Sequence, residues 1–552
     1  MIHYAIALTV VALVLAGLLP VIAQSLADQP LYMAEAAFTW DNYVRLFTEA
    51  AFGDVIRNSL VLAVLTTVMA VPMGVLLAVL VQRVGIPGGR LFETIILIPL
   101  FISPLVVAFG FVIAYGPAGY VTSQLTRAGI SIGSVYSIPG MAVASTITLI
   151  PIVYQYTSNS IRRIDPRLED AARSAGMGPL RLLRSITLPL LRPSIAYSAV
   201  LAFTLSLEEL SIPLIYGPPA RKQFFTSFIF EKGFRSTTVD YGIVGAACVF
   251  LFAILTVLVV LQMLSLRKLQ RFTTVRGKGA AERRLEVGSL RWLGFAIVLV
   301  YALLGPVVPA LAVAARAFTK VLSPLISPLD VLTLQNFTGI FEVAGYRSAI
   351  VNSVTVALIA AAVTTLLMAL TVFVARRSTF RFARQLELVA FAPLSFPGII
   401  VGFGLFYVFL LVPALGSLRG TVLALVIAFS IRAFPVAFGA LSPGVLQIGQ
   451  ELDQAARAVG ADWWRTVRSV LFRLVLPIMV ATYFLLFASM VRAYSEAIFL
   501  SDGDSQVMGQ VALAMWQSGA SGQTAALSFI QIAIAVAATG VGRLVAKGNK
   551  HA

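Results

Sequence analysis

The residues of this sequence that could do chemistry are few, and the clearest of them are carboxylates inside apolar segments. Glu208 and Glu209 lie in one such segment and Glu496 lies in another. A charged group inside a bilayer is costly and by default marks a transport pathway or an ion pair. We name Glu209 and Glu496 as candidate pathway residues, with a structural bond to a neighbouring helix or a position near the membrane interface as the equally weighted alternative. Arg492 stands four residues before Glu496, which favours an ion pair along one helix.

Other reactive side chains are isolated. The two histidines, His3 and His551, stand at opposite ends of the chain, and Cys248 is the single cysteine. An intrachain disulfide and a cysteine-built metal site are therefore excluded, and clustered acid or histidine residues at catalytic spacing are absent from the sequence. The nucleotide-binding pattern Gly-x-x-x-x-Gly-Lys-Ser/Thr is also absent. We predict no catalytic residue, no metal site and no cofactor in this chain, which is then not an enzyme by itself.

The composition is that of a membrane protein. Of 552 residues, 59% are hydrophobic and 12% are charged, with a mean hydropathy of +0.92. An ordinary soluble domain has about 25% charged residues. Soluble enzymes, nucleic-acid binders and disordered scaffolds are thus excluded. The net charge of +17 is explained by basic cytoplasmic loops, so we expect a lipid bilayer and no nucleic acid as partner.

Apolar runs long enough to cross a bilayer as helices predict about twelve spans. Their approximate bounds are 4–24, 58–82, 92–115, 138–154, 193–215, 241–266, 292–314, 350–375, 386–412, 420–442, 478–500 and 524–546. The first run lacks the basic segment that opens a signal peptide, so we interpret it as a retained helix. Most lysines and arginines lie in alternate loops, which predicts that these loops and both termini are cytoplasmic.

The chain is a tandem repeat. Asn42 and Asn58 are 16 residues apart, as are Asn336 and Asn352. Pro99 and Pro393, and likewise Gly110 and Gly404, keep the same separation between the halves. Six spans in each half predict an all-α polytopic membrane protein of about 12 transmembrane helices, arranged as two parallel six-helix repeats.

Each half contains one short loop helix that is too polar to enter the membrane. The helix near 165–176 has Asp165 as its N-cap, Pro166 in its first turn and Gly176 as its stop. The corresponding segment of the second half is 449–460. Two equivalent helices are typical of docking onto a two-fold partner, whereas a single one would favour a solvated helix that packs on its own bundle.

These loops resemble the EAA motif of permease subunits in binding-protein-dependent ABC importers, which reads Glu-Ala-Ala, three residues, Gly, nine residues, Ile-x-Leu-Pro. The first half matches every spacing, with aspartate in place of glutamate: Asp170-Ala171-Ala172, Gly176, Ile186, Leu188 and Pro189. The second half has Gln454-Ala455-Ala456 and Gly460 but then departs, with Val470, Phe472 and Arg473 at the last three positions. The resemblance extends over nearly all the chain from about Asn42.

The resemblance implies that both loops are coupling helices docking onto an ATP-binding subunit, a homodimer that binds ATP and magnesium. It also implies a periplasmic substrate-binding protein and a place in the bacterial inner membrane. The docking residues that it implies are Glu169, Asp170, Ala171, Ala172, Gly176, Asp453, Gln454, Ala455, Ala456 and Gly460. The implied organisation is a first transmembrane helix with a periplasmic loop (1–56), a permease domain (57–266), a basic cytoplasmic linker (267–291), a seventh helix with a periplasmic loop (292–347) and a second permease domain (348–546).

Two local stretches narrow the substrate. Residues 271–279 of the linker and residues 209–217 are similar to fused iron(III)-type permeases, which implies iron(III) as the cargo. Related fused permeases carry thiamine, phosphonates or polyamines. A different class, the secondary transporters, also contains proteins with two six-helix halves. Such transporters use buried ionisable groups for ion coupling, whereas most charges here lie in loops.

Overall fold

The computed structural model describes residues 2–236, 238–269, 285, 288–449 and 451–548. The linker stretch 271–279 lies outside them. Within the described ranges the chain is helical, and its strand-like pairing is limited to the isolated bridges Ala27–Phe38 and Thr319–Leu332. These two bridges occupy equivalent places, directly after the first membrane-crossing stretch of each repeat, Ile2–Ser25 and Leu290–Ala317.

The α-helices fall into the two repeats as follows. The first repeat contains α1 (Ile2–Ser25), α2 (Asp41–Thr48), α3 (Ala50–Val79), α4 (Gly89–Leu97), α5 (Pro104–Tyr115), α6 (Tyr120–Arg127), α7 (Ile138–Ile161), α8 (Pro166–Ser174), α9 (Pro179–Leu182), α10 (Leu188–Glu208), α11 (Ser211–Ala220), α12 (Phe225–Phe230) and α13 (Tyr241–Leu269). The second contains α14 (Leu290–Ala302), α15 (Val308–Ala317), α16 (Gln335–Glu342), α17 (Ala344–Arg377), α18 (Ala383–Phe391), α19 (Gly398–Leu411), α20 (Val422–Gln447), α21 (Glu451–Ala458), α22 (Trp463–Thr466), α23 (Phe472–Val491), α24 (Met508–Gln517) and α25 (Ser521–Gly548).

The number of membrane spans agrees with the prediction of about twelve. Across the described residues, 11 helical stretches are long and apolar enough to cross a bilayer. A twelfth is obtained if Ala383–Ser395 and Gly398–Leu411, which meet at 108°, form one broken span. The mostly helical, multi-span fold class is confirmed.

Several predicted span boundaries are wrong because hydropathy does not register a break in the backbone. The predicted span 92–115 is divided by the 3-10 turn Ile98–Phe101, and the crossing stretch runs over Pro104–Arg127. The predicted span 193–215 ends as a helix at Glu208, and 478–500 ends at Val491. Apolar residues continue past each break, so the composition alone extends the helix too far.

The chain divides into two compact units that do not coincide with the repeats. One unit consists of 1–48, 229–252 and 337–552, and the other of 49–228 and 253–336. Thus α1 belongs to the unit that contains most of the second repeat, where it packs on α19. Conversely, α15 belongs to the unit of the first repeat and packs on α5.

The repeated glycines lie where these helices cross. A Cβ atom on Gly110 in α5 would stand 2.7 Å from the carbonyl oxygen of Pro309 in α15. A Cβ on Gly404 in α19 would collide with the carbonyl oxygen of Gly17 in α1. The shared spacing of the two glycines therefore reflects the same close helix crossing in both units, which only a residue without a side chain allows.

The first repeated asparagine of each half caps the helix that precedes it. The Nδ2 atom of Asn42 donates to the carbonyl oxygens of Ser25 and Ala27, at 3.1 and 2.7 Å. Asn336 donates in the same way to Ala317 and other carbonyls at the end of α15. Helix ends leave carbonyl groups without intrahelical partners, and the repeat supplies an amide for them at each place.

The serine after the second repeated asparagine binds the start of another helix. Ser59 Oγ accepts from the backbone N–H of Phe225, the first residue of α12, at 2.9 Å. Ser353 Oγ accepts from the N–H of Met508, the first residue of α24, at 2.7 Å. Both serines thus bind the backbone at the start of a helix, α12 in the first repeat and α24 in the second.

Candidate functional site

The loop helix of the first half has the predicted ends. The carboxylate of Asp165 accepts from the N–H of Arg167 at 3.0 Å, as an N-cap does. At the other end Gly176 has φ of 76°, a left-handed conformation that favours glycine, and Met177 N donates to Ala172 O at 3.0 Å. These contacts confirm a short, capped helix, α8, between two membrane-crossing stretches.

The loop helix of the second half, α21, ends in the same way. Gly460 has φ of 80°, and Ala461 N donates to Ala456 O at 3.0 Å. This bond is the counterpart of the one between Met177 and Ala172. The two loops therefore share their helix stop even though their later sequences differ.

The predicted docking residues of α8 divide between two faces. Ala171 and Gly176 are exposed and Asp170 is partly exposed, whereas Glu169 and Ala172 are buried. Leu168 and Ala171, three residues apart, lie on the outward face of the helix. In addition, Ala172 packs in an apolar cluster with Leu182 of α9 and Leu285.

The residues of α21 follow the same pattern. Gln454, Ala455 and Gly460 are exposed, while Asp453 and Ala456 are partly buried. Leu452 and Ala455 are exposed at the positions that correspond to Leu168 and Ala171. Both helices therefore present a leucine and an alanine outward and turn an acidic residue inward.

Each inward acid meets an arginine that the sequence interpretation counted only as a loop charge. Arg83 Nη2 lies 2.9 Å from Glu169 Oε1, and Arg377 Nη1 lies 3.0 Å from Asp453 Oδ2. Arg83 and Arg377 keep the separation of the other repeated residues, 294 positions. That spacing was the one sequence signal that could have identified them.

The main-chain carbonyls of the same arginines are also bonded. Arg83 O accepts from the N–H of Leu285 at 2.7 Å. Arg377 O accepts from the indole Nε1 of Trp463, in the short helix after α21, at 3.0 Å. The arginine carbonyl thus accepts from a backbone N–H of the region between the repeats in the first half, and from a tryptophan side chain in the second half.

Glu209 does not lie inside a continuous helix, so its predicted place in a fifth span is wrong. Helix α10 ends at Glu208, and Glu209 has the extended values φ −63° and ψ 128°. Its carboxylate accepts from the N–H of Ser211 at 2.8 Å, where α11 begins. Its carbonyl accepts from the hydroxyl of Thr226 at 2.6 Å. Glu209 therefore stabilises the break between α10 and α11.

Glu496 also occupies a break and not a span. It lies in the 3-10 turn Ser495–Ala497, after α23 has ended at Val491, so Arg492 and Glu496 do not lie on one continuous helix as predicted. The Ser495 hydroxyl donates to its carboxylate at 3.0 Å. A Cβ on Gly398, at the start of α19, would stand 2.6 Å from Glu496 Oε1. The buried carboxylate thus packs directly against the backbone of a helix N-terminus.

Comparison with known proteins identifies the family. The profile of the family described as "Binding-protein-dependent transport system inner membrane component" matches residues 70–271 and 367–550, once in each repeat. The chain belongs to this family. It is a fused permease subunit of the ABC importer type and a multi-pass inner-membrane protein. The matches leave out α1 and α14–α15, the helices that pack in the unit of the other repeat.

Two relatives of known description are ferric transport permeases. The chain is 23% identical to the putative ferric transport system permease protein FbpB 1 of Haemophilus influenzae, over 85% of this chain and 74% of the relative. It is 24% identical to the ferric transport system permease protein FbpB of Actinobacillus pleuropneumoniae, over 91% and 72%. The chain is also similar to a chain of a solved bacterial ABC transporter involved in the import of alginate. That match covers 46% of this chain and 90% of the other, with 23% identity and a TM-score of 0.38.

Proposed function

We propose that this permease imports iron(III) and is driven by separate ATP-binding subunits that dock on α8 and α21. The observation that carries the proposal is the pair of similarly built loop helices, one in each family domain, each with a leucine and an alanine exposed on one face. A helix of nine residues is about 14 Å long at 1.5 Å per residue. Such a helix is too short to span a bilayer and long enough to occupy a surface groove.

The ATP-binding subunit in this proposal is a homodimer, because two equivalent helices fit two equivalent grooves. ATP and magnesium then bind to that subunit. A periplasmic substrate-binding protein delivers the cargo, as the family description implies. In this arrangement α8, α21 and both chain termini face the cytoplasm.

Iron(III) is favoured over thiamine, phosphonate and polyamine by the ferric permeases to which this chain is similar over most of its length. Glu209 and Glu496 are proposed to act at the pathway through the helix breaks that they stabilise. Their carboxylates bind Ser211 and Ser495, which places both acids in the breaks that follow α10 and α23.

The test is uptake by the chain in proteoliposomes with its ATP-binding subunit and binding protein. We expect ATP-dependent uptake of radioactive iron(III) and none with an ATP-binding subunit whose nucleotide site is inactivated. Uptake of thiamine, a phosphonate or a polyamine in place of iron(III) would reject the substrate. Uptake that needs an ion gradient and no ATP-binding subunit would reject the mechanism in favour of a secondary transporter.

A further inference from the structure

Two buried arginines join each loop helix to the ends of two membrane helices. Arg83 lies in the π-helical turn Leu80–Val84 that extends α3, and its side chain is 8% exposed. Its two terminal nitrogens reach both carboxylate oxygens of Glu169, at 2.9 and 3.2 Å. Nη2 also donates to the carbonyl of Ile161, the last residue of α7, at 3.3 Å. One guanidinium thus connects α3, α7 and α8.

The second repeat builds the same junction. Arg377 is the last residue of α17, and its side chain is 4% exposed. Nη1 donates to Asp453 of α21 at 3.0 Å, while Nη2 donates to the carbonyl of Val445 near the end of α20 at 2.6 Å and to that of Ile448. Here the guanidinium connects α17, α20 and α21. We call these two junctions the arginine clasps: Arg83 with Glu169, and Arg377 with Asp453.

The chemistry of the clasps explains why arginine stands at both places. A guanidinium is planar and has several donors in a fixed fork, so it can bind a carboxylate and carbonyl oxygens at once with a defined geometry. A lysine ammonium offers the charge without that fork. A buried ion pair contributes little net stability compared with apolar residues, but breaking it leaves an uncompensated charge. The clasps are therefore better explained by the geometry that they impose than by stability.

A short helix needs such an anchor. Helices of eight or nine residues are not stable in water by themselves, because nucleation is costly. In α8 the anchored residues Glu169 and Ala172 face inward, and Leu168 and Ala171 face outward. The clasp thus binds the side of α8 opposite to the proposed docking face, and that face stays exposed.

We propose that Arg83 and Arg377 are positioning residues that fix α8 and α21 to the ends of α3 and α7 and of α17 and α20. A displacement imposed on a loop helix by its partner then moves those membrane helices as well. This inference rests on the proposed function for the identity of the partner. The rigid attachment itself is a property of the chain and can be measured without the partner.

The first measurement is the motion of α8 in the purified chain. A spin label on the exposed position Ala171, in a chain whose Cys248 has been replaced, reports how tightly the helix is held. We expect Arg83→Gln to increase label mobility and Arg83→Lys to do so less. Arg162→Gln is the matched control. Arg162 forms an ion pair with Glu93 at 2.8 Å, and the two side chains are 43% and 28% exposed. Because solvent-exposed ion pairs contribute little, we expect this substitution to change label mobility little.

The second measurement is coupling in the assembled transporter. We expect Arg83→Gln and Arg377→Gln to keep the ATP-binding subunit bound and hydrolysing, while cargo imported per ATP falls by about tenfold or more, since the loss of one partner from a buried pair is strongly perturbing. The double variant Arg83→Glu with Glu169→Arg should recover part of the ratio. It restores the pair but not the bond to Ile161.

The outcomes separate the two proposals. Unchanged label mobility in Arg83→Gln, or an unchanged ratio of cargo to ATP in both single variants, would overturn the clasps as positioning devices. If the wild-type chain fails to bind any ATP-binding subunit, the proposed function fails, whereas the mobility result still decides the clasp. Should Arg83→Gln not accumulate in the membrane, Arg83→Lys supplies the same comparison with the charge retained.

Discussion

Adjacent alanines on α8 should respond in opposite ways to the same enlargement. Ala171 is exposed on the proposed docking face, so Ala171→Trp should leave the folded chain nearly as stable as before, within about 0.5 kcal/mol. Ala172 is 6% exposed and packs with Leu182 and Leu285. Forcing an indole into that cluster should destabilise the fold by roughly 1–3 kcal/mol or more.

The effects on binding of the ATP-binding subunit should follow the opposite order, with the larger loss in Ala171→Trp. The indole of Ala171→Trp would hold the partner surface away from the helix, and we expect a loss of affinity for the ATP-binding subunit of at least about tenfold, or ~1.4 kcal/mol. The assay pairs thermal unfolding of the purified permease with titration of the ATP-binding subunit. Ala455→Trp supplies the same test of the exposed face in the second half, and Ala456→Trp, at a partly buried position, should destabilise the fold less than Ala172→Trp. Normal binding by Ala171→Trp, or unchanged stability of Ala172→Trp, would refute this assignment of the two faces.

Three further predictions concern the loops and the repeat. Gly176→Val should cost about 1–3 kcal/mol of strain at its positive φ and reduce uptake, whereas Gly178→Val, at an ordinary φ with open space around it, should not; equal behaviour of the two would contradict the role of the left-handed stop. In a chain freed of its native cysteine, Leu325→Cys and Val459→Cys, which are 81% and 84% exposed at present, should be labelled from opposite sides of the membrane, and labelling from one side would reject the predicted topology. Asn352→Ala should lower thermal stability by about 1–3 kcal/mol, because it removes two side-chain bonds of 2.7 and 3.0 Å to the segment before α24, at 0.5–1.5 kcal/mol each; an unchanged unfolding temperature would show that these bonds are replaced by water.

Local signals in the sequence were sufficient for the loop helices. Asp165 and Gly176 act within a few residues of themselves, and both were predicted as the cap and the stop that the structure contains. The tandem repeat was also visible. Its residues keep equal spacing because they make equal contacts, as the bonds of Asn42 and Asn336 show.

The features that the sequence did not reveal are contacts between residues far apart along the chain and helix breaks that leave the composition unchanged. The face on which Glu169 lies is decided by Arg83, which is 86 residues away along the chain. The break at Glu209 is followed by apolar residues, so a hydropathy pattern continues through it. Both depend on contacts between separate helices, and a single sequence does not display such contacts.

The packing of α1 against α19 has a consequence for the biogenesis of the protein. Gly17 emerges from the ribosome roughly 390 residues before Gly404, its partner at the crossing. At 5–20 residues per second, that interval is on the order of 20–80 s. During this time the first helix must reside in lipid or beside an insertion factor without its final neighbour. A cell that made the second repeat alone would produce an α19 without the helix α1 that packs against its glycine face. Synthesis as a single polypeptide therefore guarantees one α1 for every α19.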